Sequence, residues 1–344
     1  MNPISSLVLP PFSVLYGLIT RARLMAYREG LLETSRLNAP VISVGNITTG
    51  GTGKTPLVEW VCRALAVEGK KVCVLTRGYG RANPGKLRVV SDGSQILAPV
   101  AEAGDEPFLL AQHLKGLAAV VCDSDRWQAG EWAREHLRAD AFVLDDGFQH
   151  LGLARDLDIL TIDATNPWGG ANLLPYGRLR EPLSGASRSD CLVVTRVELT
   201  DDVNQLKTHL RKHAGNQPIF ISQMRARGFR TIEGHPADSK SLPKSLGAFC
   251  GVGNPDSFYT HLRRQKIVPV FTLTFRDHHV YTQADINFLT QQARRFDAQG
   301  FVTTAKDAVK LESLQFDLPC YVFEIEIAIE EEAKLLNMVR EASR

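Results

Sequence analysis

Lys54 sits in "VGNITTGGTGKTPLVEW" (residues 44–60), a stretch whose glycines and threonines suit phosphate chemistry. Gly50, Gly51 and Gly53 let the backbone come close to an anion, and positive φ is open to each. Lys54 would reach the β- and γ-phosphates of a nucleotide, and the Thr55 hydroxyl would ligate Mg²⁺. An apolar run ends at about Gly45 and a helical pattern starts at about residue 54. Loop amides and a helix N-terminus therefore converge on one point. The pattern G-x-x-x-x-G-K-[ST] fails only at its first glycine, where Thr48 stands. Thr48, Thr49, Gly50, Gly51, Thr52, Gly53, Lys54 and Thr55 are accordingly read as the nucleotide-binding loop. Such a site also needs an acid at a strand end for the metal. "FVLDDGFQH" supplies Asp145 and Asp146 after an apolar run. At least one of them coordinates Mg²⁺, directly or through water. Neighbouring side chains on a strand point to opposite faces, which assigns the two acids different roles.

The elements that must hold these residues are legible as short β-branched runs alternating with helix-like stretches. Residues 40–45, 70–76, 118–123, 141–146, 157–163 and 190–196 read as strands. Fully apolar strands between helices predict a parallel sheet covered on both faces. A second α/β set begins near residue 246, with "VPVFTLTF", a helix from about 282, and "GFVTTA". Segments 218–229 and 319–330 both read as extended and are expected to pair as a bridge. The expected fold class is α/β, a P-loop NTPase-type parallel-sheet domain with a second, smaller α/β domain.

A chain of 344 residues accommodates two domains of ordinary size. Its formal net charge of +2 is too balanced for a broad nucleic-acid-binding surface, so no nucleic acid is expected as a partner. Six cysteines stand singly, mostly in apolar runs, and read as buried free thiols in a reducing, cytoplasmic setting. The N-terminus breaks the pattern. "LVLPPFSVLYGLI" (residues 7–19) is nearly all apolar and is followed by Arg21, Arg23 and Arg28. It is short for a bilayer span, is interrupted by Pro10 and Pro11, and lacks the preceding charge of a signal peptide. Two readings stay open: a helix packed on the core, or an amphipathic segment in a membrane interface with arginines near headgroups.

"VGNITTGGTGKTP", "TRGYGR", "GDEP", "DDGFQH", "LREPL", "FCGVGNP", "DHH" with Tyr281 two residues on, and "TTAKDAVKL" follow one another along the chain. In this order they resemble the tetraacyldisaccharide 4'-kinase (lipid A 4'-kinase) family, over about residues 40–315. One departure is Ala305, where an acidic residue is expected. The resemblance implies an ATP-dependent kinase that moves the γ-phosphate to the 4'-hydroxyl of a tetraacylated glucosamine disaccharide 1-phosphate. ATP, this amphiphilic lipid and the inner membrane surface are the implied partners, with Mg²⁺ as cofactor. The implied location is peripheral, at the cytoplasmic face of the inner membrane. By resemblance, Asp105 takes the proton of the acceptor hydroxyl and His278, or else His279, supports it from across the cleft. Arg180 is expected to meet the transferring phosphate beside Lys54, and Glu181 to join Thr55, Asp145 and Asp146 at the metal. Tyr79, Arg77, Asn46 and His150 are read as substrate-binding, His150 beside the γ-phosphate. Lys306 and Asp307 are read as lining nucleotide or interdomain contacts. Residues 1–38 then form a membrane-associating segment, 39–217 the P-loop kinase domain and 329–344 a C-terminal helix. Residues 218–328 form the smaller domain, with a two-stranded linker at about 218–226 and 319–326.

Two other classes compete. The loop has the shape found in partition ATPases, but their signature lysine before the two glycines is Thr49 here. A soluble amidoligase-type P-loop enzyme has no use for the N-terminal apolar segment.

Overall fold

The computed structural model describes residues 3–200 and 202–344, with side chains from residue 9 onward. The chain opens with α1 (Pro3–Arg28), β1 (Val41–Asn46), α2 (Lys54–Val67), β2 (Val72–Thr76), β3 (Arg88–Ser91), α3 (Val100–Ala103) and α4 (Asp105–His113). It continues through β4 (Ala118–Cys122), α5 (Arg126–His136), β5 (Ala141–Asp145), β6 (Leu157–Asp163), β7 (Cys191–Thr195) and α6 (Val203–Ala214). Next come β8 (Ile219–Thr231), β9 (Pro236–Ala237), β10 (Leu246–Cys250), α7 (Pro255–Arg264) and β11 (Phe271–Thr274). The last elements are α8 (Gln283–Arg295), β12 (Gly300–Thr304), α9 (Ala305–Ala308), β13 (Cys320–Ile329) and α10 (Glu332–Ala342).

The strands join one sheet in the order β11-β10-β12-β13-β8-β7-β6-β1-β5-β2-β4-β3, with β9 beside β8. β1 lies between β5 and β6 and pairs parallel with both, so the loop after β1 emerges in the middle of the sheet. Every residue of β1, β2, β4, β5, β6 and β7 is buried, as strands covered on both faces require. On one face α2 covers them with Leu57, Val58, Val61, Cys62 and Leu65, an apolar stripe at helical spacing. All six cysteines are buried and free.

The two extended segments at 218–229 and 319–330 form an antiparallel ribbon, β8 against β13, with a bulge between Glu324 and Ile325. The start of β8 also pairs parallel with β7, and β13 pairs parallel with β12. One long strand thus carries the sheet from the phosphate-loop side into the second α/β set. Two details differ from the sequence reading. β3 is an additional edge strand, antiparallel to β4 and too short and polar-flanked to announce itself. α10 begins at Glu332 rather than 329, because β13 runs on to Ile329 and Glu331 turns the chain at φ 54°.

Residues 1 and 2 of the N-terminal segment, and the side chains of Leu7 and Val8, lie outside the described residues. From Pro3 the segment is helical to Arg28, straight through Pro10 and Pro11. The prolines leave the carbonyls of residues 6 and 7 without their N–H donors, the usual cost of proline inside a helix. One face docks beside the phosphate loop. Ser13 Oγ donates to the Leu173 carbonyl (3.0 Å), Tyr16 Oη to that of Arg180 (2.8 Å) and Arg23 to that of Gln149 (3.1 Å). The other face leaves Phe12, Val14, Leu15, Leu18 and Ile19 each more than half exposed. The helix thus packs one face on the core and leaves an apolar face exposed. Among the described residues no helix is long and apolar enough to cross a membrane.

Candidate active site

The loop from β1 to α2 is pinned from below. Thr52 Oγ1 lies 3.0 Å from Thr161 Oγ1 of β6, and Thr195 of β7 donates to the Thr52 carbonyl at 2.8 Å. Two of its glycines are required as glycines. Gly50 has φ 108° and a Cβ there would stand 2.1 Å from an Arg178 nitrogen. Gly53, the N-cap of α2, has φ 79° and a Cβ would meet Met224 Cε at 2.7 Å. Gly51 needs no positive φ, contrary to the expectation for all three. A short crossing brings a second arginine to the loop: Thr49 N–H donates to Arg178 O (2.7 Å) and Arg180 N–H to Ile47 O (2.9 Å). Arg178 and Arg196 also clamp the loop from outside through the carbonyls of Thr49 and Gly51.

Residues Thr49 to Thr55 line a cleft of about 710 Å³ between the two α/β sets. Asp145 and Asp146 line it too. Strand alternation does not separate them, because the chain leaves β5 at Asp146 with φ 55°, a turn that aspartate tolerates. Their surroundings differ. Asp146 lies between Arg180 (2.6 Å) and Lys54 (3.3 Å). Burial raises its carboxyl, but these two cations outweigh it and hold the group at about 2. Asp145 accepts from Thr76 Oγ1 at 3.0 Å. Burial first, then Glu106 and Asp146, push it up to about 6 against the pull of Lys54.

The opposite wall comes from the second α/β set. β11 is followed by a loop in which His278 takes φ 57°, a conformation that costs energy for a non-glycine residue and re-aims its ring. His278 Nδ1 stands 2.9 and 3.1 Å from the two oxygens of Asp105, the first residue of α4. An ionised carboxylate only accepts, so Nδ1 carries the proton of this bond. Burial raises the Asp105 carboxyl, yet the His278 bond and the charges of Lys306, His278 and Lys310 leave it below its ordinary range. The His278 imidazole is raised above its usual value, chiefly by that bond and against burial and Lys306. His278 lines the cleft and Asp105, buried, stands behind it. His279 turns the other way, stacked on Phe275 and 3.3 Å from Asp285.

Tyr79 and Arg77 are exposed on the cleft wall, as expected of groups that meet a ligand. Besides Asp105 and Asp307, four expected residues lie off it. Glu181 is corrected as a metal ligand. It is buried and already occupied by Arg188 at 2.5 and 2.9 Å and by Gln149 at 2.7 Å. His150, expected beside the γ-phosphate, is not among the residues that line the cleft, and burial and the positive charge of Arg126 push its imidazole down to about 4. Asn46 is fully buried at the end of β1, its amide atoms without partners, and Thr48 is buried facing Leu179. Ala305 starts α9 and lines the cleft without a charge. Sequence reasoning missed Glu106, Asp277 and Lys310, although each stands beside or three residues from a residue it singled out. It also missed the bracing arginines Arg178 and Arg196, which no local pattern marks.

What the cleft can do follows from what it gathers: amides and cations for phosphates on one wall, an ionised carboxylate–imidazole pair on the other. Fold and site together define a P-loop NTPase-type phosphotransferase. The model of the tetraacyldisaccharide-1-P 4'-kinase family matches residues 5–344. A tetraacyldisaccharide 4'-kinase of Geobacter metallireducens is 41% identical over 305 residues, covering 88% of each chain. Another, of Pelobacter propionicus, is 40% identical over 342 residues, covering 97% of this chain and 91% of that one. The crystal structure of LpxK from Aquifex aeolicus in complex with ATP superposes with a TM-score of 0.78 at 31% identity, covering 97% of this chain and 98% of that one. The chain belongs to the tetraacyldisaccharide 4'-kinase family.

The half-buried His150 should make the protein's stability acid-sensitive. Its folded value, about 4, lies below the ordinary 6.5, so the unfolded chain takes up the proton first as pH falls. Its neutral burial costs nothing above about pH 6.5, and stability is lost progressively from there down to about pH 4. A His150→Asn variant, compared with wild type by urea melts across this range, should lose stability less steeply. Parallel curves would show that folding leaves the His150 imidazole unshifted.

Proposed function

We propose that the chain transfers the γ-phosphoryl group of ATP to the 4'-hydroxyl of a tetraacylated glucosamine disaccharide 1-phosphate, working peripherally at the inner membrane surface. The observation that carries this is the convergence of Lys54, Arg180 and the loop amides with the Asp105–His278 pair on one cleft, beside an exposed apolar helix face. Phosphoryl transfer needs positioned oxygens and charge neutralisation more than covalent help. The loop amides and Lys54 hold the donor phosphates, and Arg180 moves from Asp146 toward the charge on the transferring group. As the 4'-oxygen bonds to the γ-phosphorus, its proton passes to the Asp105–His278 pair, with His278 on the cleft side. The bond to the β–γ bridging oxygen breaks and ADP leaves.

Mg²⁺ fits the acid pair. Asp145 is a buried carboxylate without a close counter-charge of its own, and Asp146 lines the same cleft with Oδ1 3.3 Å from Lys54. Mg²⁺ is ordinarily held by one or two carboxylates plus phosphates, so Asp145, Asp146 and Thr55 suffice as the protein's share. When bound, the ion would neutralise charge on the donor phosphates.

The lipid acceptor explains the placement of α1. Its exposed leucines and isoleucine, with Arg21, Arg23 and Arg28 all exposed, would sit in the headgroup region and bring the cleft to the bilayer. Replacing Leu15, Leu18 and Ile19 by Ser should lower cosedimentation with anionic vesicles several-fold, while turnover of acceptor dispersed in detergent persists. Unchanged cosedimentation would remove the membrane role of this face.

The pair itself is tested by kinetics. Asp105→Ala and His278→Ala should each lower kcat by about 10²–10⁴-fold with little change in KM for ATP. Groups that act as a unit are non-additive, so the double variant should be little worse than the worse single one. Multiplicative losses would show that the two residues work independently.

A further inference from the structure

Lys306, at the second position of α9, points its ammonium at three partners in the cleft wall. Nζ lies 3.0 Å from Glu106 Oε1, 3.3 Å from Asp277 Oδ1 and 3.3 Å from His278 Nε2. Glu106 is next to Asp105 on α4, and Asp277 precedes His278. Burial pulls the ammonium toward losing its proton, but Glu106, then Asp105 and Asp277, more than offset this and keep it charged. A lysine ammonium has three N–H donors and no acceptor. The bond to His278 therefore exists only if Nε2 is unprotonated, just as the bond to the Asp105 carboxylate exists only if Nδ1 carries hydrogen. Both ring nitrogens are spoken for by partners of fixed character.

We propose that Lys306 is a positioning residue that holds His278 as the neutral imidazole, hydrogen on Nδ1 toward Asp105 and Nε2 bare toward the cleft. Alone, Asp105 would favour the doubly protonated ring, which has no lone pair to offer a hydroxyl. The Lys306 charge opposes that second proton at Nε2. An arriving hydroxyl donates to Nε2 in place of one Lys306 N–H, while Glu106 and Asp277 retain the ammonium. The proton then moves from the hydroxyl oxygen to Nε2, and Asp105 pairs with the imidazolium so formed. Other groups face His278 as well. Asp277 Oδ2 lies 4.0 Å from Nε2 and favours a proton there, which the closer Lys306 ammonium opposes. Lys310 lies 3.8 Å from Asp105 and 3.1 Å from the buried Asp307, and the Tyr79 ring centroid is 5.6 Å from that of His278. Lys310 meets Asp105 and not the ring, so it strengthens neither tautomer at Nε2. This inference rests on the pair's role proposed above, but its first readout does not involve turnover.

The experiment is nitrogen NMR of full-length protein labelled with ¹⁵N-histidine, the His278 signals being found by their loss in His278→Gln. Near pH 8 the wild type should show Nδ1 protonated and Nε2 unprotonated. In Lys306→Gln the midpoint for protonating Nε2 should rise by about one unit or more, since a unit charge at this range is worth several-fold to a hundred-fold. The acid limb of kcat should move up with it, with KM for ATP little changed, and Lys306→Arg, always charged, should restore both in part. A wild-type Nε2 protonated at pH 8, or an unmoved midpoint in Lys306→Gln, would overturn the proposal. An altered KM for ATP with an unmoved midpoint would make Lys306 a phosphate contact instead. If the tautomer is as stated but Asp105→Ala keeps full kcat, the pair's role fails and the tautomer assignment stands.

Discussion

The contact between Asp105 and His278 joins residues 173 apart in sequence, and the cleft is organised around it. Asp105 begins α4, on the phosphate-loop side, whereas His278 sits on a strained turn beyond β11. A buried carboxylate bonded to a half-buried imidazole is held by geometry and by further hydrogen bonds, since desolvation offsets much of the attraction. The structure supplies those supports. Lys306 and Lys310 approach from α9 and the turn after it, and Asp307 ties that turn to Gly251 N–H at 2.9 Å and to Thr304 Oγ1 at 2.7 Å. The loop after β10 thereby becomes part of the same rigid wall.

The ribbon of β8 and β13 makes this meeting possible. Because β8 is shared by β7 and β13, the second α/β set is an extension of the parallel sheet and not a separate body on a thin tether. The C-terminal ends of β1, β5 and β2 and the loops of the second set then face one space, the place where open α/β sheets bind ligands. The docked helix α1 belongs to the same plan. It fastens through Tyr16 and Ser13 to the segment that carries Arg180, so the exposed apolar face of α1 and this cleft-lining arginine share a support.

Much of this was legible in the sequence because it is local. Strand, glycine loop and helix in register pointed to a phosphate-type loop ending at Lys54, whose strand–loop–helix frame the structure has, and fully apolar runs gave the parallel sheet. The bridge at 218–229 and 319–330 was legible from its two matching extended segments. What was not legible depends on side-chain direction. Glu181 and His150 have the right chemistry in the right motif, yet one is paired with Arg188 and the other lies off the cleft. The acid pair defeated the alternation rule because Asp146 leaves the strand in a left-handed turn. Glu106, Asp277 and Lys310 look like ordinary surface charges until α4, α9 and the loop beyond β11 are brought together. The prolines of α1 suggested a break, and the helix runs through them.

The central claim is that one cleft binds the donor phosphates at Lys54 and delivers a phosphoryl group to a lipid hydroxyl. Its most direct test is mass spectrometry of the lipid after incubation in detergent with ATP carrying ¹⁸O in its γ-phosphate and with the disaccharide 1-phosphate acceptor. Wild-type protein should place a single labelled phosphate on the 4'-oxygen, and Lys54→Ala, folded as judged by circular dichroism, should place essentially none. Labelled product from Lys54→Ala at near-normal turnover, or wild-type ATP consumption that leaves the lipid unlabelled, would contradict the account.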